Sequence, residues 1–328
     1  MTGHPTANIL ISSGGRRVGL FHCFRDTLVR RGQIGVIAMA DAGRTAPLAF
    51  VADRAFRVPR CSEPGFIDAI TQICLENSIR LVVPTIDTEL PLYADAREKL
   101  AEQGILVAVS GSETIAISGD KVRTYHWLLE NNFPTVRQTT AQVALDDGWA
   151  FPLIAKPPGG SASAGVRRVH NALEMRAIAE SADNVIVQEI AQGREYTINV
   201  YVNRAGDCVC AVPHWRIETR GGEVSKGLTA KDPALMQLAS CIARRLPDAW
   251  GALNVQCMKD SRGDISIIEI NARFGGGYPL AHHAGAWFTD WLLEELEGKS
   301  VPPFDAWTND LAMLRYDEAV YLAGSELR

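Results

Sequence analysis

The sequence predicts a mixed α/β and α+β protein: an N-terminal doubly wound parallel-sheet lobe, then a mobile lid, then a C-terminal antiparallel-sheet lobe. Three observations predict it. The first third alternates short apolar runs with amphipathic stretches, the pattern of parallel strands covered by helices on both faces. From about Ser118 the pattern changes to two short strands that flank a loop of small residues, with a helix beside them. Beyond Gly193 come longer apolar runs of antiparallel type.

In the first lobe the apolar run 7–12 is a strand that ends in Gly14-Gly15, followed by a helix over 17–31 and a strand over 35–40 ending at Asp41. A helix over 65–77, a strand over 80–84, a helix over 89–103 and a short strand over 106–109 complete it. Gly119-Asp120-Lys121 then opens a helix that Pro134 stops, because proline cannot continue the hydrogen-bond ladder. Strand 151–156 leads into the small-residue loop 157–165, strand 166–169 returns, helix 172–181 follows, and strand 185–189 closes the unit. The last lobe holds strands over 195–202, 208–217, 252–259 and 265–271. The implied division is 1–117, 118–190 and 191–328, and the final stretch 301–328 carries no readable chemistry.

At 328 residues the chain has room for roughly two or three lobes. A net charge of −5 argues against nonspecific binding to nucleic acid or to a membrane surface, both of which need a cationic face. No apolar stretch reaches the roughly 18–20 residues needed to span a bilayer, and the start lacks a signal-peptide pattern, so a cytoplasmic location is expected. Seven scattered cysteines without a C-x-x-C pair fit reduced thiols. Cys208 and Cys210 share a strand face; buried packing is favoured there over a metal or redox pair.

The opening strand–glycine–helix unit invites a dinucleotide reading with Asp41 on a ribose. Ser13-Gly14-Gly15-Arg16-Arg17-Val18-Gly19 does not match, since two arginines stand where small residues must let a pyrophosphate approach. The turn suits an anionic group of a substrate better, or simply a tight bend.

Four features further along carry chemistry. Lys121 starts a helix, and Lys156 ends an otherwise apolar strand, where a charge needs a partner inside a cleft. The loop after Lys156, with Gly159, Gly160, Ser161 and Ser163, can close backbone N–H groups over phosphate oxygens. Next, the apolar strand ending at Gln188-Glu189-Ile190-Ala191 and breaking at Gly193 suits a hinge whose main chain reads an adenine edge, with Glu195 accepting from ribose hydroxyls; an ordinary strand–turn–strand is the alternative. Finally, Glu269 and Asn271 stand two apart on one strand and so leave the same face, and Gln256 comes from the hairpin partner. Three converging oxygen-bearing side chains are what a hard divalent cation held against phosphates requires. Arg273, two further along, supplies a fixed cation for a transferring phosphoryl group.

Taken together, these residues resemble the ATP-grasp superfamily, particularly the synthetase domain of the carbamoyl-phosphate synthase large subunit, over nearly the whole chain. The resemblance implies ATP and two Mg ions as cofactors, with Mn a substitute. It matches Lys121 and Lys156 to the nucleotide lysines, 159–165 to the phosphate-covering loop, 188–191 to the adenine hinge and Glu195 to the ribose carboxylate. Gln256, Glu269 and Asn271 match the metal ligands, with Glu269 bridging, and Arg273 the arginine of phosphoryl transfer. Many members carry an acid where Gln256 stands, which leaves one charge less for the metals. Lys226 is placed by the resemblance at the γ-phosphate, Arg216 and Arg220 near a substrate carboxylate, and Gly15, Arg16 and Asp87 near the second substrate. The single synthetase unit implies a stand-alone ligase that joins a small-molecule carboxylate to an amine through an acyl phosphate, with His282 or His283 as optional helpers. An assembly of identical chains is compatible with this. A small-molecule kinase and a non-catalytic ATP-binding protein are the alternatives.

Overall fold

A computed structural model describes residues 7–160, 165–181 and 185–327. Ser161 and Ser163 of the predicted phosphate loop lie outside the described residues. The first lobe runs β1 (Asn8–Ser12), α1 (Val18–Arg30), β2 (Ile37–Asp41), β3 (Arg54–Arg57), α2 (Phe66–Glu76), β4 (Ile79–Pro84), α3 (Leu90–Glu102) and β5 (Leu106–Val107). Its strands form a parallel sheet in the order β3-β2-β1-β4-β5. The chain winds one way from β1 and the other way from β4, so the loops after these two strands diverge and leave a crevice at their C-terminal ends. Strand β3 was not expected from the sequence. Arg54 and Arg57 interrupt any apolar run, and the strand sits exposed at the sheet edge, where burial asks little of it.

Two helices, α4 (Ser112–Gly119) and α5 (Lys121–Glu130), lead out of the lobe. The Asp120 carboxylate accepts from the Val122 and Arg123 N–H groups and caps α5, worth about 1 kcal/mol. A small antiparallel sheet follows: β6 (Gln138–Thr139), α6 (Ala141–Asp146), β7 (Leu153–Lys156), β8 (Arg167–Val169), α7 (Ala172–Glu180) and β9 (Ile186–Glu189), ordered β6-β9-β7-β8.

The third unit runs β10 (Arg194–Val202), β11 (Cys208–Arg220), β12 (Glu223–Thr229), α8 (Pro233–Arg245), β13 (Gly251–Lys259), β14 (Ile265–Asn271), α9 (Tyr278–His283), α10 (Phe288–Leu296) and β15 (Ala312–Leu314). Its sheet has the order β14-β13-β10-β11-β12-β15, with antiparallel neighbours throughout. Helix α8 begins on an Asp232 cap with Pro233 in its first turn, and buries Leu235, Ala239, Ile242 and Ala243 at helical spacing against β10 and β11.

The packing joins the first and third units. One apolar cluster contains Ile9, Phe24 and Met39 together with Phe274, Tyr278 and Phe288; another contains Leu10 and Val82 together with Ile198 and Ile270. Thr27 and Thr289 share a buried hydrogen bond of 2.7 Å, and Arg31 donates to Asp290 and Glu297 at 2.7 and 2.6 Å. The small sheet instead has its own cluster around Trp149, Leu153, Met175 and Val187. It therefore keeps its core whatever its angle to the rest. All seven cysteines are free, and burial pushes the Cys74 and Cys257 thiols up to about 12, which leaves them protonated and inert. No helix of the described residues is long and apolar enough to cross a membrane.

Candidate active site

Side-chain alternation on the large sheet builds the floor of the site. Registers Thr197↔His214, Thr197↔Gln256, Asn199↔Asn254, Asn254↔Asn271 and Gln256↔Glu269 put those residues on one face, together with Glu195, Arg216 and Met258 two positions away. Ile154 and Lys156 of β7, Gln188 of β9 and Lys121 of α5 face this floor across a cavity of about 460 Å³. The segment 189–191 forms one wall; Arg17, Glu223, Arg273 and the turn 275–277 form the far end. That volume is in the range of small-molecule sites.

At the first end the Gln188 side-chain amide donates to Gln138 at 2.7 Å, and Glu189 N–H donates to Arg137 C=O. Ile190 and Ala191 lie beyond the strand ladder and line the cavity, with the Ile190 C=O accepting a 3.4 Å bond from the Gln192 side chain. Apolar side chains of Ile154, Met258 and Ile268 line the adjoining slot. Gly193 closes this hinge at φ +110°, and a Cβ there would meet Lys259 O at 2.1 Å, so only glycine fits. Glu195 pairs with Arg216 at 2.7 Å; burial raises its carboxyl, the guanidinium lowers it, and Glu269 adds to the raising.

In the middle, Lys121 Nζ donates to Gly160 C=O at 2.9 Å, tying the start of α5 to the small-residue loop. Lys156 is 6% exposed. Burial lowers its ammonium to about 8, Glu269 pulls the other way, and Lys121 adds to the lowering. Keeping it charged costs about 3 kcal/mol, which only an anion beside it repays. Affinity for ATP should consequently be greatest below about pH 8, where free Lys156 is protonated. Binding raises its pKa, so affinity should fall by up to about tenfold per pH unit above that point. Titration calorimetry across the range checks this, and Lys156→Arg should flatten the dependence because a guanidinium stays charged.

Asn271 donates to Glu269 at 3.1 Å, and Arg273 grips Asp87 of the first lobe with two bonds of 2.8 Å. Among the described residues no three His, Cys, Asp or Glu side chains gather as a metal cluster. Glu269 and Asn271 do present oxygens on the face opposite Lys156, and a cation sharing phosphate oxygens fits such a sparse set. Gln256 Oε1 accepts from Arg216 at 2.7 Å, and Asn271 Oδ1 accepts a longer bond from Arg273 at 3.5 Å, so each has one lone pair already engaged.

The remaining predicted residues divide. Arg216 is buried between Glu195, Gln256 and Gly222 C=O and holds the Glu195 carboxylate instead of facing a substrate carboxylate. Lys226 is half-exposed and paired with Glu218 at 2.6 Å, outside the cavity lining; Arg220 is exposed and paired with Asp317. Lys226 follows register irregularities in the β11–β12 pairing that turn it to Glu218, and Arg220 is the last residue of β11. Gly15 N–H donates to Asp41, and neither Gly15 nor Arg16 lines the cavity; Arg17, one residue on, does. Gly159 is outside the lining and Gly160 is in it. His282 is buried and bonded to Asp26 at 2.8 Å and Tyr278, away from the cavity.

Sequence reasoning placed the turn that ends at Arg17 near a substrate without singling out Arg17, and it missed Glu223, His214 and Asn254. His214 is fully buried, and burial drives its imidazole down to about 3, so it is neutral. Asn199 donates to its Nδ1 at 3.2 Å, which leaves Nε2 carrying the proton with no partner. Alternation from Arg216 and Gln256 would have found both His214 and Asn254; nothing local marks Glu223.

A cleft of small-molecule size between two sheets, with a buried lysine, a hinge, and Glu269 and Asn271 at the end of β14 with Arg273 just beyond it, is the arrangement that the resemblance to ATP-grasp proteins implies. Residues 118–277 match the family described as ATP-grasp domain and residues 9–108 match PylC-like, N-terminal domain, so the chain carries an ATP-grasp domain behind a PylC-like N-terminal domain. A phosphoribosylamine–glycine ligase of Synechocystis is 27% identical over 297 residues, 81% of this chain and 68% of that protein. A D-alanine–D-alanine ligase of Psychrobacter is 28% identical over 183 residues, 49% of this chain and 55% of its own. The chain thus spans between about half and two thirds of these relatives. In fold it is similar to a biotin carboxylase of Campylobacter jejuni (TM-score 0.72, 17% identity, 93% of this chain and 74% of that one). An L-amino acid ligase of Bacillus licheniformis has a TM-score of 0.67 at 18% identity, over 89% and 74% of the two chains.

Proposed function

We propose that this protein is an ATP-dependent ligase that joins a small-molecule carboxylate to an amine through an acyl phosphate. The observation that carries the reading is that Lys156, Glu269, Asn271 and Arg273 line one cavity whose other end is the 189–191 hinge. In this reading the slot of Ile154, Met258 and Ile268 holds adenine, Glu195 accepts from ribose, and the phosphates run over the sheet toward Arg273. The working division of labour is a first lobe to residue 117, a lid over 118–190 and a metal-bearing lobe from 191.

The chemistry follows from charge and position. A substrate carboxylate oxygen bonds to the γ-phosphorus as the bond to the β-phosphate oxygen breaks, giving ADP and the acyl phosphate. Lys156 and Arg273 hold opposite sides of the transferring group, and Asp87 fixes the Arg273 fork. Mg, as two ions with Mn a substitute, would be held by Glu269 and Asn271 together with phosphate oxygens and would neutralise charge on the phosphates. The amine nitrogen then bonds to the acyl carbon, phosphate leaves, and the amine gives up a proton to solvent. Closure of the small sheet over the site excludes water from the labile intermediate.

The test is turnover of purified protein with Mg, ATP and pooled carboxylic acids and amines. We expect release of ADP and phosphate in equal amounts, together with an amide visible by mass spectrometry. A phosphorylated product that survives addition of amine would identify a kinase instead, and no ADP with any pool would defeat the reading.

A further inference from the structure

We propose that the carboxylate substrate is held by Arg17 of the first lobe, and that Arg315, brought in by the C-terminal strand β15, completes this acid-binding corner by holding Glu223. The inference rests on the ligase reading and assigns the residues that would recognise its acid.

The corner is a short ionic lattice. Arg17 Nη1 donates to Glu223 Oε1 at 2.9 Å, and Arg315 Nη1 donates to Glu223 Oε2 at 3.1 Å. Arg273 is matched one for one by Asp87, whereas Glu223 is shared by two guanidiniums. Arg17, Arg273 and Arg315 stand against Glu223 and Asp87, and Arg16 also acts on Glu223, so the corner carries unmatched positive charge. The second Nη of Arg17 donates to Thr85 C=O at 3.3 Å, which fixes the plane of its guanidinium. The Arg17 side chain is only 18% exposed, and an unmatched charge so placed is costly until an anion joins it. A planar fork suits a carboxylate in particular.

Position and construction agree with this. Arg17, Glu223 and Arg273 line the cavity at the Glu269–Asn271 end, where an attacking carboxylate must lie, and not at the hinge. Gly276 makes room for Glu223: a Cβ there would stand 2.4 Å from the Glu223 carboxylate. Arg315 Nη2 also donates to Gly276 C=O, and its backbone N–H donates to Ser225 C=O at 2.8 Å, continuing the Lys226↔Leu314 register of β12 and β15. The segment that looked devoid of chemistry in the sequence thereby supplies the arginine that backs Glu223 and Gly276 of the cavity lining.

The test is binding of a panel of amino acids and small dicarboxylic acids to protein loaded with ADP, followed by thermal shift. We expect at least one acid to stabilise the wild type. Arg17→Gln should weaken that acid by at least about tenfold, and Arg315→Gln and Gly276→Ala by several-fold, while each variant keeps the stabilisation given by ADP, which reports its fold. Wild-type acid affinity in Arg17→Gln, or no acid bound by ADP-loaded wild type, would overturn the proposal. Because the readout needs no turnover, acid binding lost in Arg17→Gln without any ADP formation by wild type sinks only the ligase reading. Turnover with an unchanged acid KM in Arg17→Gln sinks only this inference.

Discussion

Replacing Glu269 by glutamine should reduce ADP formation by about 10³-fold with little effect on folding. In the proposed function Glu269 is the carboxylate beside the phosphates, and its cavity-face neighbours Asn271 and Gln256 offer only neutral amides. Removing its charge leaves a cation with no anionic ligand from the protein at this point. It also removes the one group that supports the charged form of Lys156. A second, independent signature follows: the alkaline fall in ATP affinity should move below pH 8 in Glu269→Gln. Coupled ADP release and titration calorimetry read the two effects separately. A loss of less than tenfold, with the pH dependence unmoved, would remove Glu269 from the centre of the site.

Glu89→Ala should cost about 3 kcal/mol of stability, lowering the melting temperature by roughly 6–12 °C. Glu89 is fully buried and accepts four hydrogen bonds: from the Ser12 and Ser13 hydroxyls at 2.6 and 2.7 Å, and from the Thr85 and Ile86 N–H groups at 2.7 and 3.2 Å. Alanine leaves all four donors without an acceptor in a crevice closed by Tyr93, whose hydroxyl donates to Ser12. The two loops so joined are those after β1 and β4; they carry Arg17 into the cavity and set Asp87 against Arg273. The same variant should therefore lower kcat/KM even at temperatures where it stays folded. Differential scanning calorimetry beside steady-state rates checks both; an unchanged melting temperature would contradict the account.

The parts of the site legible in the sequence are those set by strand periodicity. Lys156 ends β7, and Glu269 and Asn271 stand two apart on β14, so a strand fixes their direction; Arg273 lies two residues past the end of β14 and is held by Asp87. The doubly wound first lobe was legible for the same reason, since its buried strands leave unbroken apolar runs. What escaped was set by tertiary approach. Whether Gly15, Arg16 or Arg17 enters the cavity depends on how a turn meets Glu223, more than 200 residues away along the chain. Arg315 reaches the site because a three-residue strand pairs at a sheet edge, too short to leave a pattern. Lys226 looked like a phosphate ligand by position along the chain, yet its strand irregularities turn it toward Glu218.

The alternation of the large sheet carries a constraint on how such a protein can change. A one-residue insertion ahead of Val255 in β13 would put Val255 in the place of Gln256 on the cavity face and turn every later side chain of that strand over, unless a bulge like the one after Gln256 absorbed it. The nucleotide half therefore accepts a change of length only where a bulge restores the register. Arg17, the turn 275–277 and Arg315 instead hang from strand ends and loops, where length can vary without disturbing any register. New acids could be accommodated there by redrawing one corner, with the machinery that spends ATP left as it is.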